Sequence, residues 1–239
     1  MANKKFIQVL DEKFYPQFKD NWDNDIFREV VLKYIDNTKT CLDIGAGRGA
    51  LKHMAFKGLG KEIFGIDPSD AIFQNPYLDK AFVGFGESMP FFEDNKFDIV
   101  YANNVLEHIE NPDSFLKEVG RVIKIDGICI AKTPNKNHYM PLLANLLPEK
   151  IHTWYHKLKG RPSEDTFPAF YRLNSRKSVK KYAESAGFEI VEINMIEGRP
   201  EYLRFNTISY FFGIAYERFV NFLGLDGIKI VMYIILRKK

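Results

Sequence analysis

Cysteine is scarce, long apolar runs are missing and neither sign of charge dominates, and each shortage removes a class of protein. The two cysteines in 239 residues, Cys41 and Cys129, each lie in an apolar run that reads as a buried strand. They are expected as small core hydrophobes and not as a disulfide, a usage that suits a reducing, cytoplasmic location. No stretch approaches the roughly 18 uninterrupted apolar residues of a membrane span; the longest candidate, IVMYIIL, is strand-sized. The opening MANKKFIQVLDEKFYPQF has no apolar stretch of signal-peptide length. A net charge of +3 with scattered basic residues gives no electrostatic footprint for nucleic acid. Paired-cysteine spacing and HExxH are absent, and His152 and His156 have no evident third ligand, so no metal is expected.

Aromatic residues are plentiful: 21 Phe and 12 Tyr, some of which should line a pocket. Short apolar runs recur along the chain as TCLDIG, EIFGID, AFVGF, FDIVYAN and GICIAKT, and later as FEIVEINMI and IKIVMYIIL. The stretches between them are helix-like or turn-rich. This alternation predicts an α/β fold, a single Rossmann-like domain with a mostly parallel, seven-stranded sheet and crossover helices. Residues 1–36 form an N-terminal helical segment, with a helix over 24–34 begun by Asp23 and Asp25; 37–135 form the core; 176–239 add helices and closing strands. Between them, 136–175 lose periodicity and fill with Pro, His, Tyr and Trp, as expected of an aromatic lid over the sheet's carboxyl edge, where open α/β sheets bind ligands. Ile208, Phe211, Phe212, Ala215, Phe219 and Phe222 repeat at helical spacing, an amphipathic face expected first as core, then as a homodimer surface, then as an interfacial membrane contact.

The chemistry concentrates in LDIGAGRGA, residues 42–50, where the first strand meets the segment expected to be the next helix. Glycine there permits a tight turn and lets a ligand lie against the backbone at a helix N-terminus. Gly45, Gly47 and Ala50 also satisfy the dinucleotide pattern, so an NAD-dependent oxidoreductase stays open on the glycines alone. Asp43 disfavours it, because a dinucleotide enzyme usually has an apolar residue at that place. Asp67, ending the second strand, suits the ribose hydroxyls of any adenosine ligand.

The ordered set LDIGAGRG, GIDPSD, GFGESMPF, KFDIV, VLEHI and KTPN, from Thr40 to Asn135, resembles the class I S-adenosylmethionine-dependent methyltransferases. It is most similar to the branch that includes the ubiquinone-biosynthesis O-methyltransferases. The resemblance implies S-adenosylmethionine as cofactor and S-adenosylhomocysteine as product. It places Asp43, Gly45, Ala46, Gly47 and Gly49 around the methionine and ribose parts, with Asp67 on the ribose and Pro68 against the adenine. It places Gly86 and Glu87 at the adenine edge and Asn103 under the methionine part. The chain departs from the family at Phe85, where an adenine-reading Asp is frequent. It lacks the proline-rich tetrad of amino-type nucleic-acid methyltransferases, reading Asn103, Asn104, Val105, Leu106 instead.

Methyl transfer from a sulfonium is an in-line displacement, accelerated mainly by positioning in a dry pocket. For a hydroxyl acceptor a histidine base would help, and His108 in VLEHI is the candidate, beside the structural role of capping its turn. The acceptor is expected to be a small molecule, such as a saccharide or a lipid-linked compound. His138, Tyr139 and Tyr171 are the candidate substrate contacts, and Trp154, Tyr155 and Phe170 are further candidates for an apolar wall. Tyr15 and Trp22 are candidates to close over the cofactor. The basic run from Arg172 to Lys181 reads as a phosphate contact or, more simply, as a solvated helix face.

Overall fold

A computed structural model describes residues 2–18, 20–146 and 167–239. The apolar runs become seven strands: β1 Thr40–Ile44, β2 Glu62–Asp67, β3 Lys80–Val83, β4 Phe97–Asn103, β5 Ile123–Pro134, β6 Phe188–Ile196 and β7 Val231–Lys238. They form one sheet in the order β3-β2-β1-β4-β5-β7-β6. All neighbours are parallel except β7, which runs antiparallel to both β5 and β6. The chain reverses its direction of travel between β1 and β4, and that switch point opens at the carboxyl edge, where the glycine loop leaves β1.

The strands read as near-continuous apolar runs because both sheet faces are covered. One row across the sheet, Leu42, Val100, Cys129 and Leu236, faces helices α3 (Pro112–Val122) and α5 (Arg176–Ser185). The next row, Gly65, Asp43, Tyr101, Ile130 and Ile235, faces the opposite side, under α2 (Trp22–Leu32). Asp43 is thus a carboxylate set in an otherwise uncharged row. Cys41 and Cys129 are buried free thiols, pushed up to about 12 by that burial, which keeps them protonated and unreactive.

Local chemistry explains where the helices start. Asn111 Oδ1 accepts from Ser114 N–H ahead of Pro112, capping α3, whose face of Phe115, Leu116, Val119 and Val122 is buried. Ser175 and Ser178 form a reciprocal capping box on α5. α1 (Ala2–Phe14) packs on α6 (Thr207–Phe222) through Ile7, Leu10, Tyr15, Tyr210 and Ile214. Tyr15 is 1% exposed, with its hydroxyl donating to Glu217 at 3.0 Å, and Trp22 is 4% exposed. Both are packed into the core.

Two further expectations are corrected. No helix follows the glycine loop: residues 45–51 are turns, and only a single 3-10 turn, Lys52–Met54, precedes β2. The Arg28 guanidinium takes the carbonyls of His53 and Ala55 at 2.8 and 3.0 Å, acceptors that a continuing helix would need for itself, while Phe56 is buried against Tyr101. The aromatic face of α6 is outside the core: Ile208, Phe212 and Phe222 are 72%, 71% and 88% exposed. The buried stripe is Tyr210, Gly213, Ile214, Glu217 and Val220, because Gly213 lets Pro200 and Leu203 approach the helix and Tyr15 gives Glu217 a partner. The insertion begins with α4 (Tyr139–Leu146); His152, Trp154, Tyr155 and His156 lie outside the described residues. Among the described residues no helix is long and apolar enough to cross a membrane.

Candidate active site

The glycine loop is latched on every side. Gly45 has φ +73°, and a Cβ there would stand 2.4 Å from Val105 Cγ2, so both backbone angle and space demand glycine. Its N–H donates to Ile66 O at 2.8 Å. Asn75 Nδ2 donates to the carbonyls of Ala46 and Gly47, and its Oδ1 would lie 2.6 Å from a Cβ on Gly49, whose φ is +78°. Asp67 closes the loop from β2: Oδ2 accepts from Gly47 N–H and Oδ1 from Ser69 N–H, both at 2.9 Å. The ligand-facing loop is therefore held by side chains and strand ends and not by a helix N-terminus.

Asp43 is 3% exposed, and burial first, then the Asp67 carboxylate, raises its pKa well above the ordinary carboxylate range. Two carboxylates converging on one loop suit a ligand that carries positive charge. Beside them, Asn103 ends β4 with its Nδ2 donating to Asn24 Oδ1 at 3.0 Å and to Met54 Sδ at 3.3 Å. Fully buried Lys132 donates to Asp23 Oδ2 and Asn24 Oδ1, both at 2.6 Å. Three buried polar atoms on this side of the sheet, Asn103 Oδ1, Tyr101 Oη and His53 Nδ1, have no hydrogen-bond partner among the described residues. Orphaned donors and acceptors next to a latched glycine loop fit a polar ligand such as the amino-acid end of S-adenosylmethionine.

Of the residues expected to border an adenine, Pro68 is half-buried directly after Asp67, and Glu87 is half-buried. Gly86 is accounted for by packing, since a Cβ would meet Phe115 and Ile44 at 2.9 and 3.0 Å. Phe85 is 62% exposed, an aromatic face available for stacking where the family frequently has Asp.

The expected acceptor residues fall into two groups. His108, in the turn after β4, has Nδ1 2.9 Å from Pro168 O. A carbonyl only accepts, so Nδ1 carries the proton and Nε2 of the neutral ring keeps its lone pair. Phe170 and Tyr171 return from the insertion and donate their N–H groups to Glu107 O at 2.7 and 3.1 Å. Tyr171 adopts φ +52°, a left-handed angle uncommon for a bulky residue, and its hydroxyl pKa is raised by burial and then by Glu107. His138 and Tyr139 belong elsewhere. His138 is fully buried, enclosed by Tyr139, Tyr216 and Glu197, with Nδ1 accepting from Met140 N–H. It packs the root of the insertion and presents no open ring face to an acceptor. Of the basic run, Arg172 and Arg176 are spent on the carbonyls of Glu110 and Ile193.

Sequence reasoning missed Asn24, Lys132 and Glu107. Glu107 is buried, its Oε2 accepting from Thr133 Oγ1 at 3.0 Å, and burial raises its pKa. The signal for Lys132 was present: a lysine within the apolar run GICIAKT is an expensive residue to bury without a purpose. Among the described residues no cluster of His, Cys, Asp or Glu is suited to hold a metal.

The chain is similar to known proteins. A family model described as a methyltransferase domain matches residues 23–193. A ubiquinone biosynthesis O-methyltransferase of Rhodopseudomonas palustris (strain TIE-1) is 32% identical over 119 residues, 47% of each chain, so the match spans about half the length of such relatives. A crystal structure of a SAM-dependent methyltransferase from Archaeoglobus fulgidus shares the fold with a TM-score of 0.60 at 18% identity, covering 96% of this chain and 98% of that one. Geranyl diphosphate C-methyltransferase from Streptomyces coelicolor, solved with Mg2+, geranyl diphosphate and S-adenosyl-L-homocysteine, overlays with a TM-score of 0.54 at 15% identity, covering 90% and 79%. With the family model covering well over half its length, the chain belongs to the methyltransferase-domain family, among the class I enzymes that use S-adenosylmethionine.

Proposed function

We propose that the protein methylates a hydroxyl oxygen of a small-molecule acceptor, with His108 as the general base. The observation that carries this reading is the hydrogen bond from His108 Nδ1 to Pro168 O, which fixes the ring so that Nε2 can take a proton. The turn bearing His108 follows β4 at the carboxyl edge of the sheet, the edge from which the glycine loop also leaves β1. The bound cofactor supplies an electrophilic methyl group on a sulfonium. Asp67 and the loop of Gly45, Ala46, Gly47 and Gly49 hold its ribose and backbone-facing side, Asp43 and Asn103 its methionine part, and Pro68, Gly86 and Glu87 border the adenine. As the acceptor oxygen attacks, its proton passes to His108 Nε2. Tyr171 borders the acceptor, whose class is a phenol, saccharide or lipid-linked alcohol; the naming of the Rhodopseudomonas relative favours oxygen as the methylated atom.

Calorimetric titration with S-adenosylmethionine, S-adenosylhomocysteine and NAD comes first, and micromolar binding of the first two without NAD is expected. An acceptor panel then follows in the wild-type protein and in His108→Gln. The variant should lose about 10²- to 10⁴-fold in kcat with unchanged cofactor affinity. Full turnover in His108→Gln would return the residue to a turn-capping role, and binding of NAD alone would overturn the cofactor.

A further inference from the structure

The cluster of Lys132, Asp23, Asn24 and Asn103 joins α2 to the ends of β4 and β5, and its chemistry leaves one arrangement for the amide of Asn103. The Lys132 ammonium sits 2.6 Å from a carboxylate oxygen of Asp23 and acts only as a donor, so the Asn24 atom 2.6 Å away is the acceptor Oδ1. That oxygen cannot donate, so the Asn103 atom 3.0 Å from it must be the NH2 group. The carboxamide is thereby turned with its oxygen away from α2. Asn103 Oδ1 is buried and has no hydrogen-bond partner among the described residues. Asn103 follows Ala102, whose neighbour on β1 is Ile44, so it stands beside Gly45, where the glycine loop leaves the sheet.

A buried carbonyl oxygen left unpaired is destabilising, and a ligand donor can recover that loss. The amino-acid end of S-adenosylmethionine offers an ammonium, a donor whose charge the nearby Asp43 also favours. Resting on the cofactor reading above, we propose that Lys132 and Asn24 are positioning residues for the methionine end of the cofactor. They lock the Asn103 carboxamide so that Oδ1 accepts from the ammonium. Neither Lys132 nor Asn24 need touch the cofactor. In this arrangement α2 is part of the methionine subsite and not only a cover for the sheet.

The test separates this role from simple bracing of α2 by using two ligands. S-adenosylhomocysteine carries the amino-acid end, and 5′-methylthioadenosine shares the nucleoside and lacks that end. Both are titrated calorimetrically into the wild-type protein and into Lys132→Met, Asn24→Leu, Asn103→Leu and Asn24→Asp. The first three variants should bind S-adenosylhomocysteine about tenfold more weakly, as expected for one hydrogen bond to a charged group, while affinity for 5′-methylthioadenosine changes less than about twofold. Asn24→Asp keeps an acceptor between Lys132 and Asn103 and should retain most of the wild-type preference. Equal weakening for both ligands, or no weakening for either, would overturn the proposal. If Lys132→Met does not fold, because Asp23 is left without its cation, the two Leu variants carry the test alone. Failure of the wild-type protein to bind S-adenosylhomocysteine at all would instead remove the cofactor reading, and the proposal with it.

Discussion

At the residue scale, the loop between β1 and β2 answers to backbone angle and space. Gly45→Ala must place a Cβ 2.4 Å from Val105 Cγ2 at a φ of +73°, so the variant should lose about 1–3 kcal/mol of stability in urea unfolding. Adding Val105→Ala should restore part of that loss, because it relieves the clash and leaves the unfavourable angle. Asp67→Ala removes the acceptor for Gly47 and Ser69 N–H as well as the expected partner of the ribose. Its cofactor affinity, measured calorimetrically, should fall by about 1–3 kcal/mol; unchanged affinity would remove Asp67 from the binding site. These residues were legible in the sequence because their meaning is local: a glycine run at the end of an apolar run, and an acidic residue at the end of the next. Asn103 was legible only as a position. What orients its amide lies 79 residues away at Asn24, and Asn24 in turn takes its role from Lys132, 108 residues on. No spacing rule reaches that far.

At the scale of elements, periodicity announced the helix at 207–222 and misassigned its faces. The exposed face with Ile208, Phe212 and Phe222 is more apolar than the buried stripe, which contains a glycine and a glutamate. A helix turns its most apolar face inward only when the neighbouring element can receive it. Here Tyr15, Pro200 and Leu203 offer a receptor shaped for Gly213 and Glu217. Phe222→Ser should therefore shift unfolding stability by no more than about 0.5 kcal/mol, whereas Ile214→Ala, at a buried site on the same helix, should cost about 2–5 kcal/mol. Equal losses would show that the aromatic face is covered in the folded protein. The missing helix after the glycine loop teaches the converse. Residues 50–57 have a composition that a helix would tolerate, yet Arg28 reaches in from α2 and claims two of the carbonyls. Strands were easier to place than helices because an apolar run buried on both faces has few other uses in a sheet of this order.

At the scale of the whole molecule, buried ionisable groups couple stability to binding through protons. The folded-state pKa of Asp43 is raised by burial and by Asp67, so between its unfolded and folded values the native state holds a proton that the unfolded chain has released. Stability from this group is complete below the unfolded pKa and declines as pH rises through the folded one. Glu107, raised by burial, has the same sign, while Lys132, lowered by burial, adds stability as pH climbs toward the usual lysine range. Asp43→Asn should accordingly flatten the loss of stability as pH rises above the ordinary carboxylate range, measured as urea midpoints of the ligand-free protein. The same proton should be expelled on binding, since a sulfonium and an ammonium beside Asp43 favour its ionised form. Calorimetry in two buffers of different ionisation enthalpy should show proton release with S-adenosylmethionine and a smaller release with S-adenosylhomocysteine, which lacks the sulfonium charge. Affinity should tighten as pH rises through the folded pKa, and Asp43→Asn should bind more weakly without releasing a proton. Binding that is buffer-independent in the wild-type protein would mean that Asp43 does not change its protonation when the ligand binds, and the coupling between its proton and the cationic ligand would be overturned.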